Sequence, residues 1–512
     1  MKKSTLKNSG YSHAGASWTK RSMKGFTVNS ASPVEDIDDN NYTLRQRSRI
    51  LYMSDSVATS AIKTNRTNVI GTGLKLKPRV DKDLLNISQE QADKLEANIE
   101  REFNLWARDK LSCDATGNND FYEMQQLAFA SSQMSGDVFA VVKHKEPDIM
   151  RPYSLRLHVI EADRISTPST ANTTSIYTAT TGRALNGNMI YDGVEVDNNG
   201  EAVAYYVCNA YPFHIPDDGN TVEWVRIPVI GENTGLPNIL HVMDSERPDQ
   251  YRGVPYLAPV IEPLLQLRRY TDAELTAAVV ESCFTVFVKT QENPADNPFN
   301  EAIGENQSEI PHNDNEYELG AGNINYMYPD EDIEFADPKR PASGFGDFTH
   351  AICEQVGAAL EIPSDLLLKS FNSSYSASRA ALLEAWKAFR MRREWFISDF
   401  CQPAYELWFH EAVANGRINA PGFFNDPLIK KAYTRAEWIG PTQGQLDPVK
   451  EVNAELASAA AGLTTYEDAA MRLNGSNWDT NMDQLTHETE RLNAIKNQGD
   501  KDNAKETQNN ES

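Results

Sequence analysis

Cysteine is scarce in this sequence, and its spacing does not suggest a disulfide framework. The 512 residues contain five cysteines, Cys113, Cys208, Cys283, Cys353 and Cys401, and none belongs to a CxxC pair. An odd number of scattered cysteines is not the pattern of a small secreted domain held by disulfides. The sequence therefore predicts free thiols in a reducing cytoplasm.

Long apolar runs are also absent. No stretch reaches the roughly 18 apolar residues that a transmembrane helix needs, so no membrane span is predicted. The first residues, MKKSTLKNSGYSH, include lysines but no apolar core behind them, so we expect no secretory signal. The length of the chain exceeds one ordinary compact core and predicts several subdomains.

The motifs of common enzyme classes are missing as well. The sequence has no HExxH zinc helix, no GxSxG nucleophile elbow and no P-loop. Gly71 and Gly73 lack the residues that would complete a phosphate or dinucleotide loop, so they predict a turn into a strand at 74–78. We predict no enzyme, no cofactor and no metal site. A metal-dependent nucleic-acid enzyme built from acidic loops stays open as a weaker alternative.

Negative charge exceeds positive charge by a wide margin. The chain has 73 Asp and Glu against 49 Lys and Arg, a formal net charge of −24. Such a balance argues against wrapping nucleic acid on a broad basic surface. It is compatible with a negative duct through which DNA slides, although solubility is the simpler explanation. Residues 291–338 contain no Lys or Arg, whereas residues 1–40 lack periodicity and begin with a basic stretch.

Residue periodicity predicts an α+β chain that is mainly helical. Helical spacing of apolar residues is found at 42–65, 88–106, 121–128 and 256–282. Alternating patterns predict strands at 138–142, 155–160 and 190–209. Ser88 and Gln91 have the spacing of a capping box, and Asp197–Gly200 reads as a hairpin turn.

The helix predicted at 42–65 carries a basic set of side chains. Its cations are Arg45, Arg47, Arg49, Lys63 and the adjoining Arg66. Two interpretations remain open, namely contact with phosphate groups and a solvated helix face, and the second is the commoner role of such residues.

The stretch from Gly344 to Phe400 has the most specific organisation in the chain. Apolar residues recur every four positions from Phe348 to Leu360, and Pro363 ends that helix. A second apolar stripe runs from Leu382 to Phe400. Between the two helices lies a polar break, KSFNSSYS, at 369–376.

This order of helix, polar loop and long helix resembles the portal proteins of tailed bacteriophages. The run ALEIPSDLLL followed by YSASRAALLEAW is similar to the lambda-type portal family. Three further motifs agree with that family in order, NVIGTGL at 68–74, HVMDSERPDQYRGVP at 241–255 and LDPVKE at 446–451. The resemblance runs from about Tyr42 to Ile495, nearly the whole chain.

The resemblance implies a portal fold with wing, stem, clip and crown regions that assemble into a ring. The implied regions are a flexible basic N-terminal arm at 1–40, a wing of helices and mixed β-structure at 41–255, a stem helix at 256–288, an acidic clip at 289–343, a second stem helix at 344–362, a tunnel loop at 363–377, a long wing helix with its packing region at 378–440, a helical crown at 441–495 and a disordered tail at 496–512.

The same resemblance implies the residues of the DNA channel and of the docking surface. The tunnel loop would line the channel with Lys369, Ser370, Phe371, Asn372, Ser373 and Tyr375. A cationic face, expected to approach DNA or a neighbouring subunit, comprises Arg379, Lys387, Arg390 and Arg393. The clip would dock the packaging motor through Glu316, Glu318, Asp330, Glu331, Asp332 and Glu334.

The function implied is that of a structural ring, expected to be a dodecamer, at one capsid vertex of the virion. Double-stranded DNA would pass through it without sequence specificity during packaging and ejection. The implied partners are the terminase large subunit, the major capsid and scaffolding proteins, and the head-completion or tail adaptor proteins. Assembly would take place in the host cytoplasm. A different head-tail adaptor protein is the alternative.

Overall fold

A computed structural model describes residues 11, 15–26, 31–168, 180–211, 222–282, 286–289, 324–327, 344–371, 374–444, 447–476, 478 and 481–493. The described chain is mainly helical with small sheets, which confirms the α+β prediction. The prediction of a disordered tail at 496–512 lies outside these residues, as does the acidic clip at 289–343 apart from residue 289 and one strand.

The helices follow the apolar periodicity of the sequence. Those of the N-terminal half are α1 (Asp39–Ser54), α2 (Ser56–Val69), α3 (Lys82–Leu85), α4 (Gln89–Ala107), α5 (Lys110–Cys113) and α6 (Phe121–Ser135). Those of the C-terminal half are α7 (Ile261–Ser282), α8 (Phe345–Ala359), α9 (Ser364–Leu368), α10 (Tyr375–Phe396), α11 (Gln402–Ala414), α12 (Pro427–Thr434), α13 (Pro448–Ala460), α14 (Tyr466–Asn474) and α15 (481–493). Ser88 and Gln91 form the predicted capping box of α4.

The strands form four small sheets. They are β1 (Lys75–Pro78), β2 (Asp137–His144), β3 (Leu155–Glu161), β4 (Thr181–Arg183), β5 (Met189–Tyr191), β6 (Val194–Val196), β7 (Ala202–Cys208), β8 (Trp224–Pro228), β9 (Ile239–Met243), β10 (Val286–Lys289), β11 (Ile324–Met327) and β12 (Ala436–Ile439). One antiparallel sheet has the order β3-β2-β9, and another runs β4-β5-β6-β7-β8. The predicted hairpin turn at Asp197–Gly200 joins β6 to β7, with Gly200 at φ 88°.

β1 pairs with β12, although more than 350 residues separate them in the chain. The turn before β1 depends on two glycines in the left-handed region, Gly71 at φ 59° and Gly73 at φ 104°. A Cβ atom on Gly73 would lie 2.4 Å from the Cβ of Tyr122, and one on Gly71 would lie 2.3 Å from Cγ of Pro441. The glycines therefore serve a tight turn and close packing, which confirms the structural interpretation of this motif.

The main core is rich in aromatic rings from α4, α6, α10 and α11. Phe103 lies at its centre and makes edge contacts with Phe121, Tyr405 and Trp408 at centroid distances of 5.1 to 5.7 Å. A π-helical turn, Ile397–Cys401, joins α10 to α11, and Pro403 occupies the first turn of α11. A second cluster unites α1, α2, α7, α8 and α9 around Ile62, Leu264 and Val356.

Arg45 of α1 belongs to a buried charge cluster, defined here as Arg45, Asp137, Asp163, Asp192 and Arg252, and Arg49 of α1 pairs with its member Asp163. Arg45 lies 3.2 Å from Asp192 and 3.8 Å from Asp163, and only 2% of its surface is exposed. Arg49 pairs with Asp163 and donates to Ser135 Oγ. Both interpretations, phosphate contact and solvated face, are therefore wrong for Arg45, because its guanidinium is buried; Arg49 is half-buried and paired with Asp163. Arg47 and Lys63 are exposed.

Arg252 stands at the centre of this cluster and is completely buried. Its Nε donates to Asp137 Oδ2 at 2.7 Å, and its Nη atoms donate to the carbonyls of Ile165 and Ala162 at 3.0 and 2.9 Å. These contacts hold the pKa of Asp137 well below its usual range, despite complete burial.

Gly253, next to Arg252, allows two backbone segments to touch. A Cβ atom on Gly253 would lie 2.0 Å from the carbonyl oxygen of Gly136, and Gly136 itself has φ 92°. The Arg-Gly pair of the 241–255 motif therefore ties the segment after β9 to the α6–β2 turn. α1 joins the same point, because the Asn41 amide donates to the Gly253 carbonyl at 2.8 Å.

Asp38, just before α1, should make stability depend on pH. Burial, with help from Asp192, raises its pKa to about 7. The folded state thus retains a proton that the unfolded chain loses above its ordinary pKa of about 4, so stability falls as the pH rises from about 4 to 7. We expect Asp38→Asn to be more stable than the parent in urea unfolding, with a gain about 2 kcal/mol larger at pH 8 than at pH 5. The exposed neighbour Asp39→Asn is the matched control. An equal gain for Asp38→Asn at both pH values would contradict the assignment.

Candidate functional site

α7 and α8 lie side by side and frame the site. Tyr270 on α7 contacts Phe345 and Phe348 on α8, with ring centroids 5.4 and 4.9 Å apart. At the other end of the pair, Leu264 packs with Val356 in the second core cluster. The chain between the two helices includes β10 and β11, which pair in parallel. The helices predicted as the two stem helices therefore pack against each other through residues 264–270 of α7 and 345–356 of α8.

The end of α8 is shaped for a tight change of direction. A Cβ atom on Gly357 would lie 2.5 Å from the Ile362 carbonyl oxygen, so only glycine permits this approach. Glu361 takes a left-handed conformation with φ 54°. Pro363 then precedes α9, a short helix within the predicted loop that the sequence pattern did not indicate.

The connecting segment, residues 369–374, leaves the body between two fixed points. On one side, Ser60 Oγ donates to the Leu367 carbonyl at 2.7 Å, which holds α9 against α2. Lys369 follows with a left-handed φ of 53°. On the other side, Ser374 caps α10 by accepting from the Ala377 amide at 3.4 Å. The segment is thus anchored at both ends and close to the start of a long helix.

The described part of the connecting segment is exposed. Lys369, Ser370 and Ser374 are exposed, and Phe371 has 64% of its surface accessible. Asn372 and Ser373 lie outside the described residues, and Tyr375 begins α10. The six predicted clip residues, Glu316, Glu318, Asp330, Glu331, Asp332 and Glu334, also lie outside the described residues.

The four predicted cations of α10 do not share one environment. Arg379 lies 3.7 Å from Glu451 of α13, and Lys387 pairs with Glu384 at 2.6 Å on the same helix. Arg390 is exposed. Arg379 thus faces the last helical module of its own chain, while Lys387 and Arg390 remain accessible.

Arg393 corrects the predicted cationic face, because it serves packing within the subunit. Its guanidinium donates to the carbonyls of Asn68, Val69 and Pro441 at 2.8 to 2.9 Å. It therefore caps the C-terminal end of α2, where carbonyls lack helical partners. Burial lowers the pKa of Arg393 to about 10, with Arg390 contributing.

Arg392, which the sequence pattern did not single out, ties the parts of the site together. It donates to Asn65 Oδ1 on α2 at 3.1 Å and to Glu361 Oε2 at 2.7 Å. Its guanidinium also lies 5.0 Å from the ring centre of Tyr256, which precedes α7. One side chain of α10 thus contacts α2, the end of α8 and the approach to α7.

Loss of Arg392 should loosen this junction. We expect Arg392→Met to lower the free energy of unfolding by about 1–3 kcal/mol, since the buried Asn65 oxygen would lose its donor. Arg390→Met, two residues away and exposed, should change it by less than about 0.5 kcal/mol. Urea unfolding followed by tryptophan fluorescence measures both. Equal losses for the two variants would contradict the assigned role of Arg392.

Comparison with known proteins decides the family. The model of the lambda family of phage portal proteins matches residues 19–393, well over half of the chain. The chain belongs to the lambda family of phage portal proteins. The resemblance inferred from the sequence motifs is therefore confirmed.

Individual relatives of this portal protein are similar to it in sequence over most of their length. The portal protein of Escherichia phage N15 is 22% identical over 483 residues, covering 91% of this chain and 87% of that protein. Portal protein B of Escherichia phage lambda is 22% identical over 435 residues, covering 81% and 78%. The probable portal protein of Halomonas phage phiHAP-1 is 24% identical over 493 residues, covering 95% and 86%.

Among solved structures, the chain is similar to one from the neck of a native gene transfer agent particle computed with C12 symmetry. Sequence identity is 13% and the TM-score is 0.38, over 86% of this chain and 94% of that one. A chain from the virion of a native gene transfer agent particle gives 13% identity and the same TM-score of 0.38, over 85% of this chain and 94% of that one.

The described part of this portal protein offers no arrangement of the kind that metal catalysis uses. Among the residues with assigned positions, no group of three or more His, Cys, Asp or Glu side chains is arranged to hold a metal ion. Within the same ranges, no helix combines the length and the apolar character that crossing a membrane requires. Glu411, one of the two glutamates that follow a histidine, accepts from the Ser154 and Leu155 amides and so holds β3.

Proposed function

We propose that this portal protein forms a closed ring of identical subunits, twelve in the assembled capsid, around an axial channel for double-stranded DNA. The observation that carries the proposal is the exposure of Lys369, Ser370, Phe371 and Ser374 of the connecting segment, beside the fixed ends of α9 and α10, in a chain of this family. In a ring, every copy would present this segment to the axis. The subunit acts as a structural part, and the energy for DNA movement comes from a separate motor.

The wall of the channel would consist of α7 and α8. The Tyr270 contacts with Phe345 and Phe348 stiffen the pair, and Arg392 fixes its base to α2 and α10. A stiff pair keeps the channel diameter constant while DNA passes. We assign residues 256–288 and 344–362 to the stem, and 363–377 to the tunnel loop.

Contacts between the connecting segment and DNA would be weak and independent of sequence. Lys369 is an exposed cation for phosphate, and Ser370 and Phe371 add polar and apolar contacts. An exposed charge pair contributes about 1 kcal/mol or less, so each copy holds DNA loosely. Backbone contacts carry no base information, so binding is non-specific. The exposed Lys387 and Arg390 would supply further contacts to DNA or to a neighbouring subunit.

The remaining regions would connect the ring to its partners. We assign 41–255 and 378–440 to the wing, 441–495 to a crown and 289–343 to a clip. The acidic residues of the clip would dock the terminase large subunit and later the head-completion or tail adaptor proteins. Capsid and scaffolding proteins would contact the ring during assembly in the host cytoplasm, and the ring then stays in the virion.

Native mass spectrometry of the purified chain tests the ring directly. We expect a narrow series of closed oligomers near twelve copies at micromolar concentration. The proposal fails if the chain remains monomeric, also in the presence of its scaffolding protein. An adaptor protein would instead add to rings formed by another chain.

A further inference from the structure

A groove lies where α6, β9, α8 and α10 converge. Its volume is about 530 Å³, large enough for an aromatic side chain and the residues beside it. Val254, Met391 and Trp395 supply apolar walls, and the last two remain 42% and 40% exposed. Such exposure of large apolar side chains around a concave surface favours contact with another chain. We name this feature the acidic groove for the side chains on its rim.

Four carboxylates line the acidic groove, Asp244, Glu246, Glu361 and Asp399. Glu361 pairs with Arg392, the one cation of the lining. Partial burial raises the pKa of Asp399 to about 6, and Asp244 adds to that rise. Glu246 and Glu361 likewise act with burial to raise the pKa of Asp244. Among the described residues that line the groove, carboxylates thus outnumber cations. A cation from another segment would stabilise the ionised carboxylates.

A hydrogen-bond acceptor in the groove also lacks a donor. The side-chain oxygen of Gln133, one of the lining residues, is buried and has no hydrogen-bond partner among the described residues. Buried polar atoms are normally paired, so this oxygen marks a place where a donor from an occupant fits. The groove therefore favours an occupant that is cationic, carries an apolar anchor and offers hydrogen-bond donors.

The N-terminal segment of the chain has these properties. Residues 1–34 contain six Lys and Arg and no Asp or Glu, in a chain whose net charge is −24. Within the docking segment, defined as residues 15–26, Trp18 is 85% exposed and Phe26 is 69% exposed. Lys20, Arg21 and Lys24 lie between these two rings and are also exposed.

Ala31, which follows the docking segment in the sequence, lies close to the groove. Arg247, adjacent to the rim residue Glu246, donates to the Ala31 carbonyl at 3.1 Å and pairs with Asp36 at 2.5 Å. Ala31 of this anchor is thirteen positions after Trp18 in the sequence, a reach of at most about 45 Å. Residues 15–26 nevertheless do not line the groove of their own chain, and their aromatic side chains face solvent.

We propose that the docking segment of one subunit binds in the acidic groove of the adjacent subunit. Trp18 or Phe26 would occupy the apolar part, and the three cations would meet Asp244, Glu246 and Asp399. This inference rests on the proposed ring, which would bring the groove of the next copy within reach of the docking segment. Each subunit would thereby hold its neighbour through this segment in addition to any other interface.

Cysteine crosslinking in purified rings tests whether the docking segment of one subunit binds in the acidic groove of the next. Thr19 and Ser245 are exposed, so Thr19→Cys with Ser245→Cys preserves the fold. Mild oxidation should give a ladder of covalent multimers on a denaturing gel. The matched control is Thr19→Cys with Asn425→Cys, an exposed loop position that does not line the groove, and it should give no ladder. Native mass spectrometry of the same samples establishes whether rings are present.

A second measurement reverses two charges of the acidic groove and follows trypsin cleavage of the docking segment, with no added cysteine. Asp244→Lys with Glu246→Lys should speed trypsin cleavage after Lys20, Arg21 and Lys24 about tenfold, because two attractive pairs become repulsive. Crosslinks confined to single chains, rings without any crosslink, and crosslinks that appear only after a DNA duplex is added would each overturn the inference while the ring stands. A chain that stays monomeric would overturn both the inference and the proposed function.

Discussion

Replacing Arg252 by methionine should lower the free energy of unfolding by about 3–5 kcal/mol or more. The substitution would leave Asp137 and Asp192 without their main cationic partner in the interior, where Asp137 is completely buried. Breaking a buried ion pair from one side costs about 3–5 kcal/mol, and a domain is stable by only about 5–15 kcal/mol. The Ile165 and Ala162 carbonyls would also lose their donor. The soluble yield and the urea midpoint of the purified chain measure the effect.

Two further variants in the same segment distinguish the loss of Arg252 from a general intolerance of this segment to substitution. Gly253→Ala should be nearly as damaging, because the added Cβ would meet the Gly136 carbonyl oxygen at 2.0 Å. Arg247→Ala removes an exposed pair and should cost about 1 kcal/mol or less. If Arg252→Met unfolds at the same urea concentration as Arg247→Ala, the buried charge cluster does not hold the subunit together.

Deletion of residues 370–373 should leave rings intact but stop productive packaging. Ser374 is retained, because its hydroxyl caps α10. The neighbouring α9 keeps its bond to Ser60, so the body is unaffected. Each copy would lose about 1 kcal/mol of weak contact with DNA, and over a ring the yield of DNA-filled heads should fall about tenfold or more. Counting full and empty heads by electron microscopy, in a phage complemented with the variant, measures the loss.

The matched control replaces the same four residues by four glycines, which keeps the length but removes Phe371 and the polar side chains. A defect in the deletion alone would assign the role to the length of the segment. A defect in both would assign it to the side chains. Normal numbers of full heads that retain their DNA, from rings lacking 370–373, would show that this segment is not the channel loop.

Much of the local structure was predictable because its causes are local. The capping box at Ser88, the hairpin at Asp197–Gly200 and the glycine turn before β1 each depend on residues within a few positions of one another. The family was predictable for a similar reason, since its motifs are short and occur in a fixed order along the chain.

The contacts between distant segments were not predictable. β12 is a four-residue strand that pairs with β1, and its residues look like a turn when read alone. Arg45 and Arg393 look like surface cations, because the sequence does not reveal the carboxylates and carbonyls that surround them in the fold. Arg392 and Gly253 were overlooked for the same reason. Their importance depends on Asn65, Glu361 and Gly136, which lie far away in the chain.

A cryo-electron microscopy map of the purified oligomer tests the central claim most directly. The account predicts a closed ring with an open axis, α7 and α8 along the channel wall, and residues 369–374 of every copy at the narrowest point. A compact oligomer without a hole, or a ring that carries residues 369–374 on its outer rim, would contradict it.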